Sequence, residues 1–289
     1  MLLRVVNRQW ERTNERTGRR LRCARSACAR YPIVKTAVIL PAAGLGTRMQ
    51  RGVPPVPAET TGTSRKQFML LEGAPILVHT VRKFVASPLV NDIIVAVREE
   101  EIDWVQDMLH KEGRGLLGSL RVVAGGNTRQ ESVEKAFAAL DPDTDIVAVH
   151  DAVRPFVDLD TIRKVIEEAA LNGAAIVGIV PVDTVKQVSG AQAGGAKVRA
   201  TISRERLILA QTPQVFRYDV LRRAFEAATR DNFSGTDEAS LVERLDFYPG
   251  RTGQVEISVV LGSERNIKIT RPSDMDLARL FFEQETARR

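Results

Sequence analysis

Ala37–Arg48, AVILPAAGLGTR, together with Lys66-Gln67-Phe68 beyond a long loop, decides how the rest of the chain is read. Ala37 to Leu40 form a short apolar run of strand type. Behind it the small residues Ala42, Ala43, Gly44 and Gly46 let the backbone turn tightly and approach a ligand closely. Such a turn presents N–H groups, and Arg48 and Lys66 add two cations, so the segment has the chemistry to hold a triphosphate. Its spacing is not that of a dinucleotide fold, which wants Gly where Met49 stands, nor of a Walker loop, which wants Gly-Lys-Ser/Thr. A Gly-rich strand-to-helix turn with two solvated cations is the plain alternative, and this stretch alone leaves both open.

With 289 residues, 44% of them hydrophobic, the chain can bury one large core or two modest ones. No apolar run approaches the ~20 residues of a membrane span, and the start lacks the apolar core of a signal peptide, so a cytoplasmic protein is expected. Of the net charge of +6, nine Arg and Lys35 against Glu11 and Glu15 place +8 in the first 36 residues, which leaves −2 for the remaining 253. The basic character therefore belongs to a tail and not to a nucleic-acid-binding body. Arg4, Arg8, Arg12, Arg16 and Arg20 recur every four residues without an apolar face, so residues 1–35 are expected to be a basic, disordered extension, with a transit peptide or a nucleic-acid arm as alternatives. Cys23 and Cys28 both lie in it, which excludes a four-Cys zinc site and offers no disulfide scaffold.

From Ala37 onward strands alternate with helices, the signature of an α/β fold with a mostly parallel sheet flanked by helices. Strands are expected at 36–41, 92–97, 120–124, 145–150 and 174–181, and helices at 75–86, 99–111, 129–140 and 158–172. Pro75 suits a first helical turn, and Thr128 with Glu131 makes a capping box. Residues 50–65 form a Pro-, Gly- and Thr-rich loop without periodicity. Residues 183–211 read as a protruding β-arm, because KVRATISR follows the Gly-rich tip GAQAGGA. Helices at 217–229 and 236–245, strands at 255–261 and 266–270, and a helix from Pro272 capped by Thr270 complete the expected domain, 36–289.

Doubly wound sheets bind ligands beyond the carboxyl ends of their strands. After the first strand stand the Gly turn and Arg48; after the third, Gly125-Gly126-Asn127 and a helix bearing Ser132; after the fourth, Asp151-Ala152-Val153-Arg154-Pro155; after the fifth, Asp183, Thr184 and Lys186. Four such loops are expected to converge on one edge. Each group keeps a plainer alternative: Asp151 and Arg154 as a structural ion pair, Ser132 as a helix-surface residue, Thr184 as a turn residue. His150 stands in no triad pattern and is expected to be a neutral, hydrogen-bonded strand-end residue. Lys268, between Ile267 and Ile269, must take the face opposite to them and is expected to point into a site.

PAAGLGTRM, KQF, GGNTRQESV, HDAVRP, VDTVK, QTPQVF, TDEASL and NIKITRP, in this order over about 36–285, resemble the 2-C-methyl-D-erythritol 4-phosphate cytidylyltransferases of the non-mevalonate isoprenoid pathway. Single motifs are shared with related cytidylyltransferases, but the ordered set is specific. The resemblance implies a Rossmann-like nucleotidyltransferase domain and a homodimer whose arms cross to complete the sites. It implies cytidylyl transfer from CTP to methylerythritol phosphate with Mg²⁺ or another divalent cation. It also implies Arg48 and Lys66 as transition-state cations, and Arg204 and Lys268 as the cations that position the methylerythritol phosphate. Ala42, Ala43, Gly44, Gly46, Gly126, Asn127, Ser132 and Ala152 fall where the family holds CTP, and Asp151, Arg154, Thr184 and Thr212 line the second substrate. Asp151 is the best carboxylate for a metal contact, with metal carried by the triphosphate as the alternative. The chain departs from the family pattern in three places. Arg65 stands where Pro is usual and ends a longer loop, Asn127 stands where Asp is common, and Arg251–Glu256 extends the run before the last strands. A ribitol 5-phosphate cytidylyltransferase is the nearest rival, and a nucleotide- or RNA-binding protein led by the tail is the rival without catalysis.

Overall fold

Thr36–Pro41 forms strand β1, and its side chains alternate as a strand buried on both faces requires: Val38 and Leu40 enter one apolar cluster, Ala37 and Ile39 the other. The computed structural model describes residues 34–44, 65–112, 119–189, 196–247 and 255–287, all within the unit Val34–Arg289. The expected extension up to residue 33, Gly46, Arg48, nearly all of the 50–65 loop and the arm tip lie outside the described residues. Lys35 is part of the fold, its ammonium bonded to Asp141 at 2.8 Å and Asp143 at 2.7 Å.

A 3-10 turn, Lys66–Phe68, and a short hairpin of β2 (Leu70–Leu71) and β3 (Ala74–Pro75) lead into α1 (Ile76–Val85). Then come β4 (Asp92–Val97), a 3-10 turn Glu99–Glu101, α2 (Ile102–Glu112), β5 (Ser119–Ala124), α3 (Arg129–Ala138), β6 (Ile146–Val149), α4 (Leu159–Asn172) and β7 (Ala174–Ile179). The hairpin β8 (Val185–Ser189) and β9 (Lys197–Ile202) precedes β10 (Leu209–Arg217), α5 (Tyr218–Arg230), α6 (Glu238–Glu243), β11 (Ile257–Leu261) and α7 (Pro272–Thr286). The sheet runs β11-β7-β10-β6-β1-β4-β5, parallel except for β10. Helices α1, α2 and α4 cover the face of Val38 and Leu40, while α3, α5 and α6 cover that of Ala37 and Ile39. Each fully buried aliphatic side chain of these faces contributes roughly 1.5–3 kcal/mol.

Local chemistry fixes the helix ends. Asp158 accepts from Thr161 N at 2.7 Å to start α4, which ends at Gly173 with φ +95°, a left-handed conformation that a Cβ disfavours. At α3 the Thr128 hydroxyl accepts from Glu131 N at 3.1 Å, but the Glu131 carboxylate reaches Asn127 N at 2.9 Å, one residue beyond the expected box. Asp274, rather than Thr270, caps α7: its carboxylate takes the Thr270 and Arg271 N–H groups at 2.7 and 2.8 Å.

Two expectations are corrected, and one stretch with no expected element is a strand. Residues 266–270 form no strand among the described residues, because Asn266 and Ile269 are tied elsewhere: Asn266 Nδ2 donates to Thr212 O at the ladder break of β10, and Ile269 N to Val153 O. QTPQVF is a strand, the buried β10, although Pro213 argues against a central strand. The ladder shifts register between Ala210 and Gln214, so Pro213 sits where no ladder N–H is needed. The arm is accordingly shorter than 183–211: Leu209 and Ala210 already pair with Ile179 and Gly178 of β7.

Candidate active site

Beyond the carboxyl ends of β1, β4, β5 and β6 opens a cleft of about 680 Å³. Ala42, Ala43 and Gly44 form one wall, Gly125 to Arg129 with Ser132 another, and Asp151, Ala152 and Lys268 the floor. Lys66, Arg98 and Lys135 also line it. The Gly turn is stitched to the Lys66 turn by the buried Gln67, whose Nε2 donates to Ala42 O and, at 3.2 Å, to Gly44 O. Across the cleft, Ser132 Oγ accepts from Gly126 N at 3.0 Å and donates to Thr128 O at 2.8 Å, so its hydroxyl shapes the loop. A Cβ on Gly126 would lie 2.3 Å from Glu131 Cβ, a contact the fixed α3 backbone cannot relieve.

Asp151 is the charged centre. Its Oδ2 accepts from Lys268 Nζ at 2.9 Å and Arg154 Nε at 3.2 Å, and its Oδ1 lies 3.5 Å from Arg129 Nε. Burial favours the neutral carboxyl, but the charges of Lys268, Arg129 and Arg154 outweigh it and hold the group far below the usual carboxylate range. Behind the floor a relay of hydrogen bonds fixes one tautomer. His150 Nε2 donates to Arg154 O at 3.0 Å, so Nδ1 accepts from the Thr212 hydroxyl at 3.1 Å, which in turn accepts from Asp151 N at 3.1 Å. His150 is fully buried, and burial pushes its imidazole down to about 4. It is the neutral strand-end residue expected, not a base.

The family model for 2-C-methyl-D-erythritol 4-phosphate cytidylyltransferase matches residues 36–284. The chain belongs to this cytidylyltransferase family. A relative of that name from Solibacter usitatus is 61% identical over 88% of this chain and 98% of its own length, and one from Acidobacterium capsulatum is 48% identical over 88% and 100%. The crystal structure of 4-diphosphocytidyl-2C-methyl-D-erythritol synthase from Anaerococcus prevotii superposes with a TM-score of 0.71 at 27% identity, covering 87% of this chain and 98% of that one. The fold is thereby the Rossmann-like nucleotidyltransferase fold of the cytidylyltransferases.

Of the residues matched to the family's motifs, Ala42, Ala43, Gly44, Lys66, Gly126, Asn127, Ser132, Asp151, Ala152 and Lys268 meet around the one cleft. Gly46 and Arg48 fall outside the described residues. Thr212 does not line the cleft: it is buried behind Asp151, its hydroxyl spent in the His150 relay. Arg154 does not line the cleft: it bonds to Asp151 Oδ2 at 3.2 Å and to Asn266 O at 2.7 Å, the arrangement of the ion-pair alternative. Thr184 and Arg204 are exposed on the arm side, and Arg204 donates to Val182 O. The expected convergence of four loops thus holds for those after β1, β5 and β6 and fails for the loop after β7. Strand β10 intervenes between β6 and β7, displacing that loop by two strand spacings, roughly 10 Å.

Sequence reasoning missed Gln67 and Arg129, and a signal existed for each. Gln67 lies inside the KQF motif between a cation and a core Phe. Arg129 opens α3, where the helix dipole disfavours a cation unless something else holds it. Arg65, the departure from the family's Pro, contacts Glu101 at 2.7 Å and so ties the Lys66 turn to the loop after β4. The donor set does not fit a metal built into the protein: no group of three acidic, His or Cys side chains stands together among the described residues, and Asp151 is already held by three cations.

Proposed function

We propose that this protein transfers the cytidylyl group of CTP to 2-C-methyl-D-erythritol 4-phosphate, forming 4-diphosphocytidyl-2-C-methyl-D-erythritol and pyrophosphate for isoprenoid precursor synthesis. The observation that carries this reading is the single cleft that gathers the Gly turn, the Gly125–Ser132 loop, Asp151, Lys66 and Lys268 in a member of this family. In the reaction a phosphate oxygen of the alditol phosphate forms a bond to the α-phosphorus, and the bond to the bridging oxygen breaks with its electron pair leaving on pyrophosphate. The attacking group is already an anion, so no general base is required, in keeping with a sealed, neutral His150. Catalysis then consists of aligning two mutually repelling anions and neutralising charge at phosphorus.

In this reading Arg48 and Lys66 stabilise the transition state, Lys268 and Arg204 grip the second substrate's phosphate, and Mg²⁺ arrives on the triphosphate. The family match does not favour ribitol 5-phosphate as substrate, nor an RNA-binding protein. The protein acts in the cytoplasm as a homodimer without nucleic acid. Thr184 and Arg204 serve the partner's cleft, which is supported by their absence from the lining of their own and by apolar side chains left exposed on the arm and at its base, Val182 at 71% and Val198 at 64%. Pyrophosphate release from CTP and Mg²⁺ with a panel of alditol phosphates tests the reaction. Turnover should be selective for methylerythritol phosphate, and equal turnover with ribitol 5-phosphate would overturn the assignment.

A further inference from the structure

Glu238, the carboxylate of TDEASL, is buried at the start of α6, 109 residues from Arg129 in the chain, and takes both terminal nitrogens of that side chain at 2.7 and 2.9 Å. The fork leaves Arg129 Nε as the donor aimed at Asp151 Oδ1. Lys268 and Arg154 both hold Oδ2, at 2.9 and 3.2 Å, so Arg129 is the cation among the described residues that contacts Oδ1. Glu238 is itself seated by β10: Gln214 donates to Asp237 Oδ2 at 2.7 Å and accepts from Ala239 N at 3.0 Å. A carboxylate only accepts, so toward an alditol phosphate Asp151 can recognise hydroxyls and not the phosphate. We propose that Glu238 and Arg129 are positioning residues that orient Asp151 toward the hydroxyls of the second substrate. This rests on the reading that Asp151 faces that substrate.

The sign of the effect distinguishes this role from simple charge balance. The five groups Asp151, Glu238, Arg129, Arg154 and Lys268 sum to one positive charge, and Glu238→Gln adds another. Charge alone would then tighten binding of an anionic substrate, whereas loss of positioning weakens it. Glu238→Gln should raise the KM for methylerythritol phosphate on the order of 10-fold or more while that for CTP moves less than about threefold. Arg129→Lys, which keeps the charge and loses the fork, should share the defect without depending on a buried substitution for its folding. Arg129→Gln and the double variant Arg129→Gln/Glu238→Gln should have the same KM, since Glu238 acts through Arg129. Asp151→Asn serves as the reference. If it raises this KM and Glu238→Gln and Arg129→Lys do not, or if they weaken both substrates equally, the positioning role is overturned. If Asp151→Asn has no selective effect, the placement of the second substrate falls and the inference with it.

Discussion

A single imidazole shows how far one residue's surroundings reach. His150 is neutral because burial moves its titration from 6.5 to about 4, so between those values the unfolded chain binds a proton that the folded one refuses. Stability must therefore fall as pH drops through this window, by about 2 kcal/mol from pH 7 to pH 5. Urea unfolding across that range should show it, and His150→Gln should lose this part of the slope although its stability at pH 7 is lower; an unchanged slope would refute the assignment. Gln67 acts differently, through two carbonyls. Gln67→Leu leaves Ala42 O and Gly44 O without their donor, a cost of about 1–3 kcal/mol each where buried, and uncouples the Gly turn from Lys66. We expect a folded protein whose kcat/KM for CTP is at least about tenfold lower. Unaltered CTP kinetics would show that the stitch has no part in binding.

At the scale of elements, the arm carries the most consequence. The β8–β9 hairpin pairs only with itself among the described residues and exposes Val188 and Val198, a state in which a lone hairpin is marginal. Deleting the tip Gly190–Ala196 should shift sedimentation toward monomer, while a wild-type monomer at micromolar concentration that is fully active would end the dimer proposal. Because Arg204 lies just after this hairpin and away from its own cleft, Arg204→Ala should raise the KM for methylerythritol phosphate more than that for CTP. Arg48→Ala should instead lower turnover about 10²-fold. Equal mixtures of the two variants should recover about a quarter of wild-type activity after subunit exchange, since half the dimers are mixed and each has one intact site. Absence of recovery would assign Arg204 to its own chain.

For the whole molecule, Lys35 and Thr36, at the start of the unit Val34–Arg289, are tied to Asp145 and Asn91. Removing residues 1–34 should leave melting temperature and turnover unchanged, and an insoluble or inactive truncation would show that the basic segment contributes to the domain. The sequence by itself determined the strands β1, β4, β5, β6 and β7, the helices between them and the ligand loops at their ends. Those features are written in local periodicity, in short apolar runs buried on both faces, and in caps such as Asp158. It also determined the family, because eight motifs in fixed order carry information that no single one does. Tertiary structure alone decided what depends on neighbours distant in the chain. Pro213 hid β10, since only the register against β6 and β7 shows that its missing N–H falls at a break in the ladder. The insertion of that strand moved Thr184 away from the cleft and buried Thr212 behind Asp151. Lys268 points into the cleft as expected, but from a loop and not from a strand, because the contacts that fix its neighbours run to Thr212 and Val153. The pairing of Glu238 with Arg129 belongs to the same class: a buried carboxylate needs a cation, and the sheet order, which no local pattern encodes, determines which one stands beside it.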